Sequence, residues 1–184
     1  MVASYAILFR ISVIPLVMHQ LYATYFFVNA YSTDDNAFKR FSNTAFFLVT
    51  ILAALLFCVA ILNPILFGQA FYSVLNSSGN GFLFLIISTP FWSLIAMNEL
   101  SFSKKNSPFM PLLQSILAFT IIASLSTFYL QYAESLAQIL KIVSLSICAY
   151  ATVNSVLFRL AKVPVPSSPI WIGFIVIFVG VCTF

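Results

Sequence analysis

Apolar residues are concentrated in six long stretches of the chain, separated by short connections rich in polar residues or proline. Most of the stretches approach the roughly 20 residues that a helix needs to cross the hydrocarbon core of a bilayer. In lipid, backbone groups must be hydrogen-bonded within their own segment, so these stretches are predicted to be α-helices. The predicted spans one to six cover residues 11–30, 44–67, 81–97, 111–132, 136–158 and 169–184.

The composition agrees with this pattern, because 62% of the 184 residues are hydrophobic and only 7% are charged. In soluble domains about a quarter of all residues are charged. Six spans use almost the whole chain, so no room remains for a separate soluble domain. We therefore predict an all-α, polytopic integral membrane protein in which residues 1–184 form a single bundle of six transmembrane helices.

Basic residues occur in alternate connections between the predicted spans. The first, third and fifth connections each contain a pair, and the second and fourth contain none. The pairs are Lys39 and Arg40, Lys104 and Lys105, and Arg159 and Lys162. Short basic loops stay on the cytoplasmic side during insertion, so both termini are expected on the non-cytoplasmic side. We expect these six residues, and Arg10 before span one, to contact anionic lipid head groups.

The net charge of +4 does not indicate nucleic-acid binding, because the basic residues form scattered pairs and not one patch. The second connection contains the sequon that begins at Asn76, on the side where the charge rule predicts glycosylation. This agreement favours the endoplasmic reticulum or another secretory-pathway membrane. The mitochondrial inner membrane is the alternative, since a small hydrophobic subunit of a respiratory assembly has a similar composition.

Small, polar and charged side chains form one stripe along span five. Its members recur at spacings of three and four residues and include Lys141, Ser144, Cys148, Ser155 and Arg159. Small residues let a second helix approach closely, and hydroxyl groups can hydrogen-bond across the contact. The stripe is therefore predicted to be a helix-packing face, with a polar path between helices as the alternative. We expect Lys141 to extend towards the outer interface.

Two further polar lines occur on other spans. Span four carries Thr120, Ser124 and Thr127, and span one carries a line that includes His19 near its middle. Buried polar groups in lipid need hydrogen-bond partners. We therefore expect the three lines to converge in the interior of the bundle.

The chain contains none of the motifs that usually mark a catalytic centre. It has no HExxH zinc motif, no GxSxG nucleophile elbow and no glycine-rich phosphate loop. The adjacent acids Asp34 and Asp35, together with His19, are the candidates for catalytic chemistry. No cofactor is predicted, and structural lipids are expected to bind.

These observations favour a non-catalytic multi-pass membrane subunit that packs within and stabilises a larger membrane complex. Its expected partners are other integral membrane subunits and membrane lipids. The first alternative is a small transporter or channel component for a lipid, an anion or a neutral solute, with the three polar lines and a helix kink at Pro90 forming its path. The second is a membrane enzyme of lipid metabolism.

Overall fold

The computed structural model describes residues 2–17, 20–21, 24, 34–105, 109–129, 131 and 133–182, and within them all regular structure is helical. This confirms the all-α prediction for the described residues. The α-helices are α1 (Val2–Ser12), α2 (Asp35–Leu62), α3 (Gln69–Ser78), α4 (Gly81–Lys105), α5 (Phe109–Tyr129), α6 (Leu136–Leu160) and α7 (Ser168–Cys182), and Pro64–Phe67 is a 3-10 helix.

Three of these helices are long and apolar enough to cross a membrane. They are α2, α6 and the part of α4 between Gly81 and Leu100. Two shorter apolar helices, Leu112–Leu125 and Ser168–Cys182, correspond to predicted spans four and six. Half of predicted span one lies outside the described residues, and α1 ends at Ser12, near the position where that span was expected to begin.

The helix α2 begins earlier than predicted span two. Asp34 is its N-cap, and the Asp34 carboxylate accepts a hydrogen bond from the backbone N–H of Asn36 at 3.3 Å. Such a cap satisfies a donor that the first helical turn leaves unpaired. Lys39 and Arg40 therefore lie in the early turns of a helix and not in a loop.

The helix α4 continues through Pro90 and ends at Lys105 instead of 97. Proline removes one backbone donor from the helix. Hydroxyl groups flank this position, since Ser88 and Thr89 both donate to the Leu85 carbonyl, at 2.7 and 3.3 Å. Thr89 also donates to the Ser12 carbonyl at 3.0 Å, which ties α1 to the middle of α4.

The centre of the described bundle is formed by α4 and α6, which run parallel to each other. Gly81 at the start of α4 lies against α6, where an added Cβ would be 2.9 Å from the Cα of Ala137. Near the other end, Asn98 donates a buried hydrogen bond of 2.8 Å to the Ser155 hydroxyl. The two contacts involve equivalent positions along both helices, so the contact extends over most of their length.

The helices α2 and α7 run in the opposite direction and pack on this central pair. Phe46 on α2 packs edge-on against Phe91 at 5.5 Å between ring centroids, and Phe57 stacks on Phe82 at 6.1 Å. Along these contacts the residue numbers rise on α2 and fall on α4, so the two helices are antiparallel. On α7, Gly173 lies against Thr152 and Gly180 lies against Leu145 in the same antiparallel sense.

These directions bring all three basic pairs to one end of the bundle. The first turns of α2 hold Lys39 and Arg40, and the last residues of α4 are Lys104 and Lys105. The last turn of α6 and the connection after it hold Arg159 and Lys162. We call this the basic end.

We expect Gly173→Ala to destabilise the bundle by about 1–3 kcal/mol, the usual range for forcing an extra methyl group into a packed contact. The new methyl group would collide with the Thr152 side chain and approach Phe91 to 3.1 Å. The measurement is the free energy of unfolding in mixed micelles. Thr152→Ala should recover part of the loss, and Phe178→Ala on the exposed side of α7 serves as the control. An unchanged stability for Gly173→Ala would contradict the close contact.

Candidate anion-binding site

The C-terminus of α6 turns sharply and directs Lys162 to the basic end. The Val163 N–H donates to the Phe158 carbonyl at 2.8 Å, and the Lys162 N–H donates to the Arg159 carbonyl at 3.1 Å. These are the two bonds of a Schellman motif, in which the residue with the left-handed backbone conformation is usually glycine. Here that residue is Lys162, with a φ of 59°. A non-glycine residue in this conformation costs about 1–2 kcal/mol, so a charged side chain occupies a position where glycine would be less strained.

The motif also positions the connection between α6 and α7. Val163 and Val165 form a small apolar cluster with Phe158, the hydrophobic contact that commonly accompanies a Schellman motif. The intervening Pro164 and the following Pro166 are buried. The connection is therefore packed against the end of α6, and it leads directly into α7.

The first turn of α7 is attached to α2. The Ser167 carbonyl accepts hydrogen bonds from Ile170 and Trp171, at 3.1 and 3.3 Å, which starts the helix. The Ser168 hydroxyl donates to the side-chain carbonyl of Asn43 at 2.7 Å. This bond holds the N-terminus of α7 beside the early turns of α2.

An open pocket of about 460 Å³ lies between these elements at the basic end. Its lining includes Lys39, Arg40, Asn43, Arg159, Lys162 and Ser168. Four of the lining residues, Lys39, Arg40, Arg159 and Lys162, are basic. All of the lining residues are among those described, and none of them is acidic. Asp35 lies one helical turn before Lys39 and offsets part of the charge.

Three elements of this pocket favour a negatively charged ligand. Arg159 and Lys162 come from the end of α6, and Lys39 and Arg40 come from α2. Ser168 places the N-terminus of α7 at the same pocket, and helix N-termini carry a partial positive charge that attracts phosphate and carboxylate groups. Arginine offers a planar pair of donors for such groups. The basic side chains and the helix N-terminus therefore give the pocket the chemistry to hold an anion such as a phosphate.

The sequence analysis selected the charged residues of this site but did not predict that they line one pocket. Lys39, Arg40, Arg159 and Lys162 were expected to contact head groups as two separate pairs, and the structure brings them into one pocket. The side chains of Lys104 and Lys105 are outside the described part of the chain. Arg10 is exposed on α1 and is not part of the pocket.

The two uncharged pocket residues that hydrogen-bond each other, Asn43 and Ser168, were missed. Both flank predicted spans, and the only available signal was their position beside a basic pair and beside the proline-rich connection.

The predicted stripe on α6 lies mostly in the interior. Ser144, Cys148 and Ser155 are buried, Lys141 is half-buried and Arg159 is exposed at the basic end. The Ser144 hydroxyl donates to the Leu140 carbonyl of its own helix at 2.7 Å. At the end opposite the basic pocket, the ammonium group of Lys141 lies 5.0 Å from the centre of the Phe84 ring, a cation–π contact with α4.

The predicted line on span four does not reach the interior. Thr120, Ser124 and Thr127 are exposed on α5. The Thr120 and Thr127 hydroxyls donate to carbonyls one turn earlier in α5, at 2.8 and 2.6 Å. The convergence of three polar lines is therefore not observed between α5 and α6. The side of α5 that packs inward carries the buried Gln114, and helical geometry turns the threonine line away from it. His19 lies outside the described residues.

Polar contacts in the interior involve amide side chains that the sequence analysis did not select. Asn98, Gln114 and Asn154 are buried on α4, α5 and α6. Within the described part of the chain, Asn98 Oδ1, Gln114 Nε2 and Asn154 Nδ2 have no hydrogen-bond partner. The predicted end of span three at 97 excluded Asn98 from the helix, which is why it was missed.

The remaining candidate residues are at the surface. Asp34 is occupied as the cap of α2, and Asp35 is exposed in the first turn. The described residues contain no group of three potential metal ligands. Asn76 is exposed on α3, which precedes the start of α4 and so lies at the end away from the basic pocket.

Comparison with known protein families, with curated proteins and with solved structures gives no match to this chain.

We expect Asn98 and Ser155 to be coupled by about 0.6–1.7 kcal/mol, the range measured for hydrogen bonds between membrane helices. A double-mutant cycle of Asn98→Ala and Ser155→Ala, followed by unfolding in mixed micelles, measures this energy. The single change Asn98→Ala is less informative, because it also removes an unpartnered buried oxygen. Ser144→Ala in place of Ser155→Ala is the matched control, and equal coupling in both cycles would contradict the contact between helices.

Proposed function

We propose that this chain is a non-catalytic multi-pass membrane subunit that binds an anionic group at the membrane surface and packs within a larger membrane complex. In this proposal it crosses the bilayer six times, with the basic end in the cytoplasm and both termini on the opposite side. The observation that carries the proposal is the pocket in which Lys39, Arg40, Arg159 and Lys162 meet beside the N-terminus of α7.

The surface below the basic end supports burial in lipid. Trp171, one turn after the pocket residue Ser168, is 67% exposed, and Phe178 further along α7 is 70% exposed. Tryptophan is enriched at the boundary between water and hydrocarbon. The pocket would then lie at the level of the lipid head groups, where phosphates are the most abundant anions.

A subunit role is supported by the outer face of α5. This helix exposes large apolar side chains, including Phe119 at 75%, together with the hydroxyl line of Thr120, Ser124 and Thr127. Hydroxyl groups and small residues recur where membrane helices associate. The expected partners are therefore other integral membrane subunits, with lipids filling the remaining contacts.

A transporter or channel component for a lipid or an anion is the second candidate, and it is favoured by the same cationic pocket. The two functions differ in what the isolated chain does. A transporter should move its substrate after reconstitution alone, whereas a subunit should require its partners.

We expect Arg159→Gln to lower the affinity for an anionic phospholipid about fivefold, since one basic residue near an anionic surface contributes about 1 kcal/mol. Native mass spectrometry of the purified protein with added phosphatidylglycerol measures the loss. Arg10→Gln is the matched control, because Arg10 is also exposed but lies outside the pocket. Equal effects of the two changes would mean that the pocket has no specific role.

Extraction in a mild detergent, followed by native-gel sizing and mass spectrometry, tests the subunit role. We expect a band much larger than the 20.5 kDa chain that contains partner proteins at fixed stoichiometry. A band of monomer size would reject the subunit role.

The same extract tests the proposed secretory-pathway membrane, where Asn76 would carry a glycan that a glycosidase removes. Recovery with mitochondrial inner-membrane markers and without a glycan would favour the alternative compartment.

A further inference from the structure

An apolar groove lies between α2, α4 and α7, with a volume of about 250 Å³. Its lining includes Phe47, Thr50, Ala54, Cys58, Pro90 and Val176. The hydroxyl of Thr50 donates to the Phe46 carbonyl of its own helix at 2.7 Å, so it presents little polarity to the groove. The groove is therefore suited to a hydrocarbon chain.

The groove lies beyond the cationic pocket on the same faces of two helices. On α2, Lys39 and Asn43 line the pocket, and Phe47, Thr50, Ala54 and Cys58 follow at helical spacings in the groove. On α7, Ser168 lines the pocket, and Ile172 and Val176 follow one and two turns later. Residues three or four apart share one helix face, so the pocket and the groove follow one another along the same faces of α2 and α7, with the Asn43–Ser168 hydrogen bond at the level where the pocket ends.

The length of the groove matches one leaflet of a bilayer. From Phe47 to Cys58, a rise of 1.5 Å per residue gives roughly 16 Å along α2. Half of the roughly 30 Å hydrocarbon core is about 15 Å. A lipid with its phosphate in the pocket would therefore find apolar contacts over the depth that its acyl chain occupies in the bilayer.

We propose that the pocket and the groove together form a binding site for one anionic glycerophospholipid, with its phosphate among the basic residues and one acyl chain between α2 and α7. This inference rests on the proposed anion site and adds the acyl chain as the second recognised group. A free phosphate would use only the pocket, and a zwitterionic lipid would present a cationic group to four basic side chains.

The decisive variant is Ala54→Trp, which fills the groove and leaves the pocket intact. Ala54 and the neighbouring Leu55 are both exposed, but only Ala54 lines the groove. Leu55→Trp therefore places the same side chain at nearly the same depth on another face of α2. We expect Ala54→Trp to weaken binding of dioleoyl phosphatidylglycerol about tenfold, because the acyl chain loses its van der Waals contacts. Leu55→Trp should leave the affinity unchanged.

Native mass spectrometry on delipidated protein gives the affinities, with dioleoyl phosphatidylcholine and glycerol phosphate as comparison ligands. Both should bind far more weakly than phosphatidylglycerol. If glycerol phosphate binds as tightly, the pocket is a site for free anions and the inference is wrong. If Arg159→Gln weakens lipid binding but Ala54→Trp does not, the acyl groove is rejected and the anion site stands. If neither change has an effect, both are rejected.

The natural cysteines provide a test that needs no substitution in the groove. Cys58 lines the groove, and Cys182 is exposed on α7 outside it. Bound phosphatidylglycerol should slow alkylation of Cys58 by a small maleimide several-fold and leave Cys182 unchanged. Phosphatidylcholine at the same concentration should protect neither. Equal protection of both cysteines, or of neither, by phosphatidylglycerol would overturn the proposed position of the acyl chain.

Discussion

The close parallel contact between α4 and α6 is the interaction on which the other helices depend. Glycine at position 81 lets the two backbones approach at one end, and the Asn98–Ser155 hydrogen bond joins them near the other. In lipid, apolar surfaces gain little from meeting each other, so helices associate through close packing and polar contacts. With this pair formed, α2 and α7 can pack on it in the opposite direction, and α5 covers its remaining side.

The cationic pocket is a product of this arrangement and of one strained residue. Because α2 and α7 are antiparallel to the central pair, their N-termini lie beside the C-terminus of α6. Lys162 then adopts the left-handed conformation that ends α6 and leads the chain back to α7. Residues in such conformations cluster at functional sites, where the surrounding structure holds them in place. The Ser168–Asn43 hydrogen bond holds the other side of the pocket.

Periodicity and composition predicted the helical class and the approximate position of α2, α4, α5, α6 and α7. The ends of the helices were less predictable. The connection before span two was expected to be polar, with part of it as an interfacial helix, and in the structure Asp34 caps a helix that continues directly into span two. Likewise, Asn98 was expected to lie beyond span three, but α4 continues to Lys105, and Asn98 hydrogen-bonds Ser155 from within the helix. Hydropathy could not reveal that the first and fifth connections meet, because that contact depends on which helices are neighbours in the bundle.

The pocket also has a consequence for the order of events during biogenesis. Its two halves come from residues 39–43 and 159–168, which are separated by most of the chain. Lys39 is synthesised long before Lys162, and the Ser168–Asn43 bond can form only when α7 lies beside α2. The pocket is therefore absent from every partly inserted intermediate and is complete only when the last helix has docked. A ligand that needs both halves of the pocket would stabilise the finished bundle and none of its precursors. Occupancy of the site would therefore report that the last helix has docked.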